Sequence, residues 1–122
     1  MSFEDILQQI VVECGGGTAI ALVGSDGIPI VNVAGPASQA SPLADDMAGV
    51  ELSRVLGEIR KASSALAGGA VDQLTIRLAA FTLTVAEVDE DVFLVLAQVP
   101  DGNLGKARYL IQRHMLALRE EL

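Results

Sequence analysis

The chain has 122 residues, of which 51% are hydrophobic, enough for one domain, residues 1–122, with a substantial core. Aromatic residues make up only 3%, so the core must be aliphatic and the chain has almost nothing to stack on nucleic-acid bases. The net charge of −8 opposes binding to nucleic acids and to anionic membrane surfaces. A single cysteine excludes an internal disulfide and a cysteine metal cluster.

The apolar fraction is high for a domain of this size, even without counting glycine. It indicates a buried surface beyond the domain's own core, most simply a subunit interface. The acidity has two explanations, plain solubility and a basic partner. The start of the chain lacks the features of a signal or transit peptide, and no apolar run reaches the ~18 residues of a membrane span. We therefore expect a cytoplasmic protein with no direct membrane insertion.

Residues 3–14 carry apolar side chains at helical spacing, which predicts an amphipathic helix with Ser2 as its N-cap. The glycine triplet at 15–17 ends this helix. The triplet is not a phosphate-binding loop, because no Lys-Ser or Lys-Thr follows it and a strand comes next.

The stretch 16–33 predicts two apolar strands joined by a tight turn at 25–27, Ser-Asp-Gly. Pro29 places the second strand at a sheet edge or at a strand start, since proline cannot donate to a ladder. The first strand is apolar on both faces, so both sides of the sheet need cover. The loop that follows, 34–42, is either a plain connection or a partner contact.

Residues 43–66 form the longest helical candidate, with Ser41 or Asp45 as its cap. Its other face is mixed and includes Met47 and Val50, which are either part of an interface or ordinary exposed residues. Glycines within this helix, at 49 and 57, would permit close approach of another backbone, such as the same helix of a second subunit. The stripe expected to face the sheet consists of Ala48, Leu52, Val55, Ile59, Ala62 and Leu66.

Alternating apolar and polar residues predict strands over 71–78 and 81–86, and the continuous apolar run 92–99 predicts a central strand. A last amphipathic helix occupies 104–122. The order α-β-β-α-β-β-β-α predicts an α+β fold, an α/β/α sandwich around one five-stranded, mainly antiparallel sheet. The long middle helix should cover one face of the sheet and the two terminal helices the other.

Residues that could carry chemistry are few. The acidic run 89–91 could hold a cation, but the pattern favours a solvated turn. His114 has no nucleophile or carboxylate tied to it by spacing, which favours a surface or boundary position. We therefore expect no catalytic residue, no metal and no cofactor, and hence no enzymatic activity.

The order of elements and several short motifs resemble the Roadblock/dynein light chain family, within it the bacterial MglB-like branch. The most specific pieces are the turn S-D-G-I-P-I and the helix opening G-N-L-G-K-A-R after the strand V-F-L-V-L-A. L-T-I-R-L fits the strand that follows the long helix. The resemblance covers essentially the whole chain.

The resemblance implies a dimer, with itself or with a sister Roadblock-like chain, in which third strands pair edge to edge and second helices pack side by side. It assigns the segments 71–78 and 43–66 to that interface. The dimer residues expected from it are Gln73, Leu74, Thr75, Ile76, Arg77, Gly57 and Lys61.

The resemblance also implies a regulator or scaffold of a small Ras-like GTPase. MglB-like dimers stimulate GTP hydrolysis by repositioning the GTPase's own residues, without supplying an arginine finger. Helix geometry then places the partner contacts on one face of the second helix. The residues concerned are Met47, Val50, Glu51, Arg54 and Glu58.

Two alternatives stay open at this point. Arg54 could neutralise phosphate charge in a hydrolysis transition state, although the spacing favours a surface ion pair with Glu51 or Glu58. The same fold could also serve as a structural adaptor that tethers other proteins and leaves nucleotide hydrolysis unchanged. Binding that does not depend on the nucleotide would favour the adaptor.

Overall fold

The computed structural model describes residues 2–15, 17–35, 43 and 46–122. The elements follow the predicted order α-β-β-α-β-β-β-α and confirm the expected α/β/α sandwich. They are α1 (Phe3–Cys14), β1 (Ala19–Gly24), β2 (Pro29–Ala34), α2 (Asp46–Ala65), β3 (Gln73–Arg77), β4 (Thr82–Glu87), β5 (Val92–Gln98) and α3 (Leu104–Glu120).

The five strands form one sheet in the order β2-β1-β5-β4-β3, and every described pair is antiparallel. β5 lies at the centre and is buried at each of its positions, as its continuous apolar run predicts. Pro29 is the first residue of β2, and β2 is an edge strand, which agrees with both positions that proline allows. The opposite edge is β3.

α1 and α3 pack against one face of the sheet. Ile20 and Leu94, whose side chains point to this face, are completely buried together with Ile6 of α1 and Ile111 of α3. The predicted N-cap of α1 is confirmed, because the Ser2 hydroxyl accepts a 3.2 Å hydrogen bond from the backbone N–H of Asp5.

α2 packs against the other face, over Phe93 and Val95 of β5. Its position depends on the β1–β2 turn, where Gly27 has φ +87°. A Cβ atom at Gly49 would lie 2.5 Å from the Gly27 carbonyl oxygen, so the helix and the turn touch through their backbones. Gly49 thus allows α2 to pack closely within its own chain. From the sequence, a helix of a second subunit had been an alternative neighbour for this glycine.

The predicted sheet-facing stripe of α2 is partly wrong. Leu56 is the most deeply buried leucine of the helix, while Leu66, assigned to the stripe, lies beyond the helix end and is 81% exposed. The structure rotates the helix so that the line through Gly49, Ser53, Leu56 and Arg60 approaches the sheet. The predicted caps at 41 and 45 lie outside the described residues. Among those residues, no helix has the length and apolar character needed to cross a membrane.

Candidate partner-binding surface

The outward face of α2 carries the five residues expected to contact a partner, and all five are exposed. Met47 is 58% and Val50 46% exposed, which is high for apolar side chains on a well-packed helix. The positions 47, 50, 51, 54 and 58 follow the helical period, so the side chains share one surface. We call this surface the α2 outer face; its members are Met47, Val50, Glu51, Arg54 and Glu58.

Ion pairs within the helix organise the charges of the α2 outer face. Arg54 donates to Glu51 at 2.8 Å, and Lys61 lies 3.4 Å from Glu58. The hydrogen bond from Arg54 to Glu51 and the charge of that carboxylate raise the pKa of the guanidinium, which stays ionised throughout the physiological range. Both pairs are exposed and each contributes little to stability. Of the two interpretations of Arg54, this geometry matches the surface residue paired with Glu51.

Contacts on the inner side of α2 fix the direction of its outer face. Arg60 forms a 2.8 Å ion pair with Glu87 at the end of β4. The Ser53 hydroxyl donates to the Ser25 carbonyl in the β1–β2 turn. Since these contacts tie two different turns of the helix to the sheet and to the β1–β2 turn, the outer face is held outward on a rigid element.

The expected dimer residues on β3 lie at a sheet edge, and on its outer side no strand among the described residues pairs with it. Gln73, Leu74, Thr75 and Ile76 are half-buried, and Arg77 is exposed. Leu74 and Ile76 point toward the α2 side of the sheet.

The two remaining dimer residues, Gly57 and Lys61, lie on α2. A Cβ atom at Gly57 would meet no atom of the described residues within 4 Å, so nothing in that part of the chain requires a glycine there. Lys61 is exposed.

The prediction of partner residues missed a set of apolar side chains on α2 that the sheet does not bury. Val55 and Ile59 are half-buried and Ala62 is exposed, although all three were expected to face the sheet. The available signal was the width of the apolar stripe on α2, which is more than one sheet contact needs. A shallow, apolar pocket of about 190 Å³, lined partly by Leu52 and Phe81, lies on the same side of the molecule.

The remaining candidates do not form a reactive site. His114 is half-buried on α3, and its Nε2 has no hydrogen-bond partner among the residues that the structure describes. Burial raises the pKa of the Cys14 thiol, which disfavours the reactive thiolate. In the acidic turn, the Asp89 carboxylate accepts a 2.7 Å hydrogen bond from the N–H of Asp91. Within the described ranges, no cluster of three metal-ligating side chains occurs.

No protein-family model and no curated protein matches the sequence. Solved structures do. MglC from Myxococcus xanthus is 31% identical, with 100% of each chain covered and a TM-score of 0.70. A Roadblock/LC7 domain from Streptomyces avermitilis is 16% identical over 98% of this chain and 97% of its own, with a TM-score of 0.83. An MglB with a tetrameric arrangement is 20% identical over 97% of this chain and 85% of its own, with a TM-score of 0.85.

The two similarities at lower identity show the fold, and the similarity to MglC extends over the full length at higher identity. The described helices and strands agree with that fold in number, order and layering. The chain therefore belongs to the Roadblock/LC7 family, in the branch that contains MglB and MglC.

Proposed function

We propose that this protein is a dimeric regulator or scaffold of a small Ras-like GTPase and acts in the cytoplasm. The observation that carries the proposal is the full-length similarity of this chain to MglC. The resemblance of the sequence to the Roadblock family had already implied GTPase regulation. The chain itself supplies no catalytic chemistry in this proposal, and it needs no cofactor or metal. Its role is to bind.

The proposed dimer joins two β3 edges into a ten-stranded sheet and sets the two α2 helices side by side. The outer edge of β3, which no described strand pairs with, and the half-buried Leu74 and Ile76 support it, because pairing would cover both. The open space at Gly57 supports it as well, since a helix of a second subunit could approach closely there. The dimer forms between two copies of this chain or with a sister chain.

The proposed GTPase contact is the α2 outer face. Its composition supports this assignment, because exposed Met47 and Val50 beside the paired Arg54 combine apolar area with charge, as transient interfaces do. In the dimer, the two outer faces would flank the helix–helix contact and form one composite surface.

The proposed effect on hydrolysis is indirect: the dimer would reposition residues of the GTPase and insert no arginine finger. The engagement of Arg54 with Glu51 supports this, since an arginine that stabilises a transition state must leave such a pair.

Single-turnover GTP hydrolysis by a Ras-like GTPase from the same source, with and without this protein, tests the proposal. Acceleration that saturates with concentration supports an activating role, and binding to the GTP form without acceleration supports a scaffold. Val50→Asp should abolish either effect, while Tyr109→Asp, a change at an exposed apolar residue of α3, should not. Absence of binding in both nucleotide states overturns the proposal and leaves the structural adaptor.

A further inference from the structure

The outward surface of the α1/α3 layer separates charge between its two helices. α1 carries three carboxylates and no cation. α3 carries four cations and one carboxylate. These four cations are half of the eight basic residues in a chain of net charge −8. The charged residues are Glu4, Asp5 and Glu13 on α1 and Lys106, Arg108, Arg113, Arg119 and Glu120 on α3.

These charges are not neutralised between the helices. Arg108 donates to the Gln73 side chain at 3.1 Å and Arg119 to the Val88 carbonyl at 2.8 Å, so both are held toward the sheet. Lys106 and the exposed Arg113 have no ion pair with any described residue. Within the same part of the chain, the carboxylates of α1 also lack ion pairs.

Exposed apolar side chains lie among these charges. Tyr109 is 61% and Leu116 66% exposed, and their spacing of seven residues puts them on one face of α3. Val12 on α1 is 66% exposed. Large apolar side chains inside a charged rim are typical of protein interfaces.

The two helices run antiparallel. α1 ends just before β1 and α3 begins just after β5, and Ala19 at the start of β1 pairs with Ala97 near the end of β5. A two-fold axis parallel to the helices would place α1 of each copy on α3 of the other copy, so the same contact would form twice. A two-fold axis across the helices would place like charges together.

We propose that the α1/α3 surface is a self-association site, on which a second copy of this chain docks with its α3 against α1 and its α1 against α3. The charge pattern selects the second copy over a purely acidic partner, because such a partner would meet the carboxylates of α1. In this arrangement Val12, near the end of α1, lies level with the first turns of α3 and closer to Tyr109 than to Leu116. The contact is isologous and uses none of the residues proposed for the β3 edge or the α2 outer face.

The association should be weak and salt-dependent. Exposed ion pairs contribute little each, and the negative net charge of both copies opposes approach. The opposite charges of the two surfaces meet at closer range than the excess negative charges, so we expect their attraction to dominate at low salt. Because these charges are exposed, screening, which acts over about 8 Å at physiological ionic strength, weakens that attraction. We expect the assembly to be populated at low salt and to dissociate as salt rises.

Two charge-reversed proteins test the proposal. The α1-reversed protein carries Glu4→Lys and Glu13→Lys, and the α3-reversed protein carries Lys106→Glu and Arg113→Glu. Asp5 is left unchanged because it takes part in the N-terminal cap of α1. Glu90→Lys with Asp91→Lys, in the β4–β5 turn, changes the net charge like the α1 reversal but lies outside this surface. Circular dichroism checks that all variants fold.

Sedimentation velocity over a concentration series at low salt provides the measurement. Each reversed protein alone should associate at least tenfold more weakly than the natural chain. An equimolar mixture of the two should recover association, because both contacts then join opposite charges. The control should retain association.

Three results would overturn the proposal: no association of the natural chain at low salt, unchanged association of both reversed proteins, or no recovery in the mixture. Loss of association in only one of the two reversed proteins would also overturn it, because the proposed contact needs both helices. The dimer proposed at the β3 edge should persist in all variants, so its failure is seen separately, as a monomer in every sample.

Discussion

The two faces of the sheet differ in how completely this chain covers them. On the α1/α3 face, Leu22 and Leu94 are fully excluded from solvent. On the α2 face, Leu74, Ile76 and Phe81 are only half-buried, although they point toward the helix layer. At the β3 edge the α2 face is the more apolar of the two, since β3 presents Leu74 and Ile76 to it and Gln73, Thr75 and Arg77 to the other face. A lack of apolar residues therefore does not explain the incomplete cover of the α2 face.

Dimensions explain it. Five strands about 4.8 Å apart span roughly 19 Å, and a helix with its side chains is about 10 Å wide. Two helices can therefore cover one face, but α2 alone cannot cover the other. Both edge strands are left over on this face, where Asn32 and Ala34 of β2 are exposed and Leu74 and Ile76 of β3 are half-buried. The difference teaches that one layer is completed within the chain, whereas the other is open to completion by a second molecule.

The largest expected effect is a loss of stability from a cavity on the fully covered α1/α3 face. Leu94→Ala should lower the free energy of unfolding by about 2–5 kcal/mol, because it leaves a cavity in a fully buried position. Leu74→Ala should cost about 1–2 kcal/mol, since the side chain is half-exposed already. Urea unfolding of both variants measures this, and equal costs would contradict the proposed difference between the layers.

Protein concentration sharpens the same comparison. If a second subunit covers Leu74, the cost of Leu74→Ala should grow as the protein concentration rises through the dimer dissociation constant. By comparison, we expect the loss of unfolding free energy in Leu94→Ala to be nearly independent of protein concentration.

A charge at the open edge should separate folding from dimerisation. Ile76→Asp should keep the fold, because the side chain is half-buried, but it should weaken the dimer at least tenfold by placing a carboxylate in an apolar contact. Light scattering measures the mass in solution, and Ile76→Val is the matched control that should stay dimeric. An unchanged mass for Ile76→Asp would exclude β3 from the interface.

The two glycines of α2 give opposite predictions of about 1 kcal/mol. Gly49→Ala should destabilise the fold by at least this amount, because the new Cβ atom would lie 2.5 Å from the Gly27 oxygen. Gly57→Ala should stabilise the isolated subunit by about 0.5–1 kcal/mol through helix propensity, since its surroundings are open. Thermal unfolding at low concentration tests both.

The dimer makes the second substitution more informative. If the α2 helices approach each other closely at Gly57, the Ala variant should dimerise more weakly even though its subunit is more stable. A variant that gains stability and dimerises as before would remove Gly57 from the interface.

The fold could be predicted from the sequence because its signals are local. The apolar run of β5 and the proline of β2 determine which strands are central and which lie at an edge. The Ser25-Asp26-Gly27 turn forms as expected, with the Asp26 carboxylate accepting a hydrogen bond from the N–H of Ile28. Each of these features depends on a few neighbouring residues.

The rotation of α2 could not be predicted from the sequence. Its apolar residues cover a stripe wide enough for two surfaces, and periodicity does not say which edge faces the sheet. The orientation is set by long-range contacts, among them the Arg60–Glu87 ion pair and the approach of Gly49 to Gly27. The residues of the candidate surface could be named because polar side chains mark it, but its apolar flank at Val55 and Ile59 was assigned to the core.

The smallest expected effect on stability concerns the α2 outer face. Arg54→Ala should change the free energy of unfolding by less than about 0.5 kcal/mol, because its ion pair with Glu51 is exposed. If the protein stimulates GTP hydrolysis only by repositioning the GTPase, Arg54→Ala should reduce stimulation in proportion to lost binding, and a saturating concentration should restore the full rate. A rate at saturation that falls by 10³-fold or more would instead identify Arg54 as a group that stabilises the transition state. Arg54→Lys separates the two further, since lysine keeps the charge but loses the planar guanidinium.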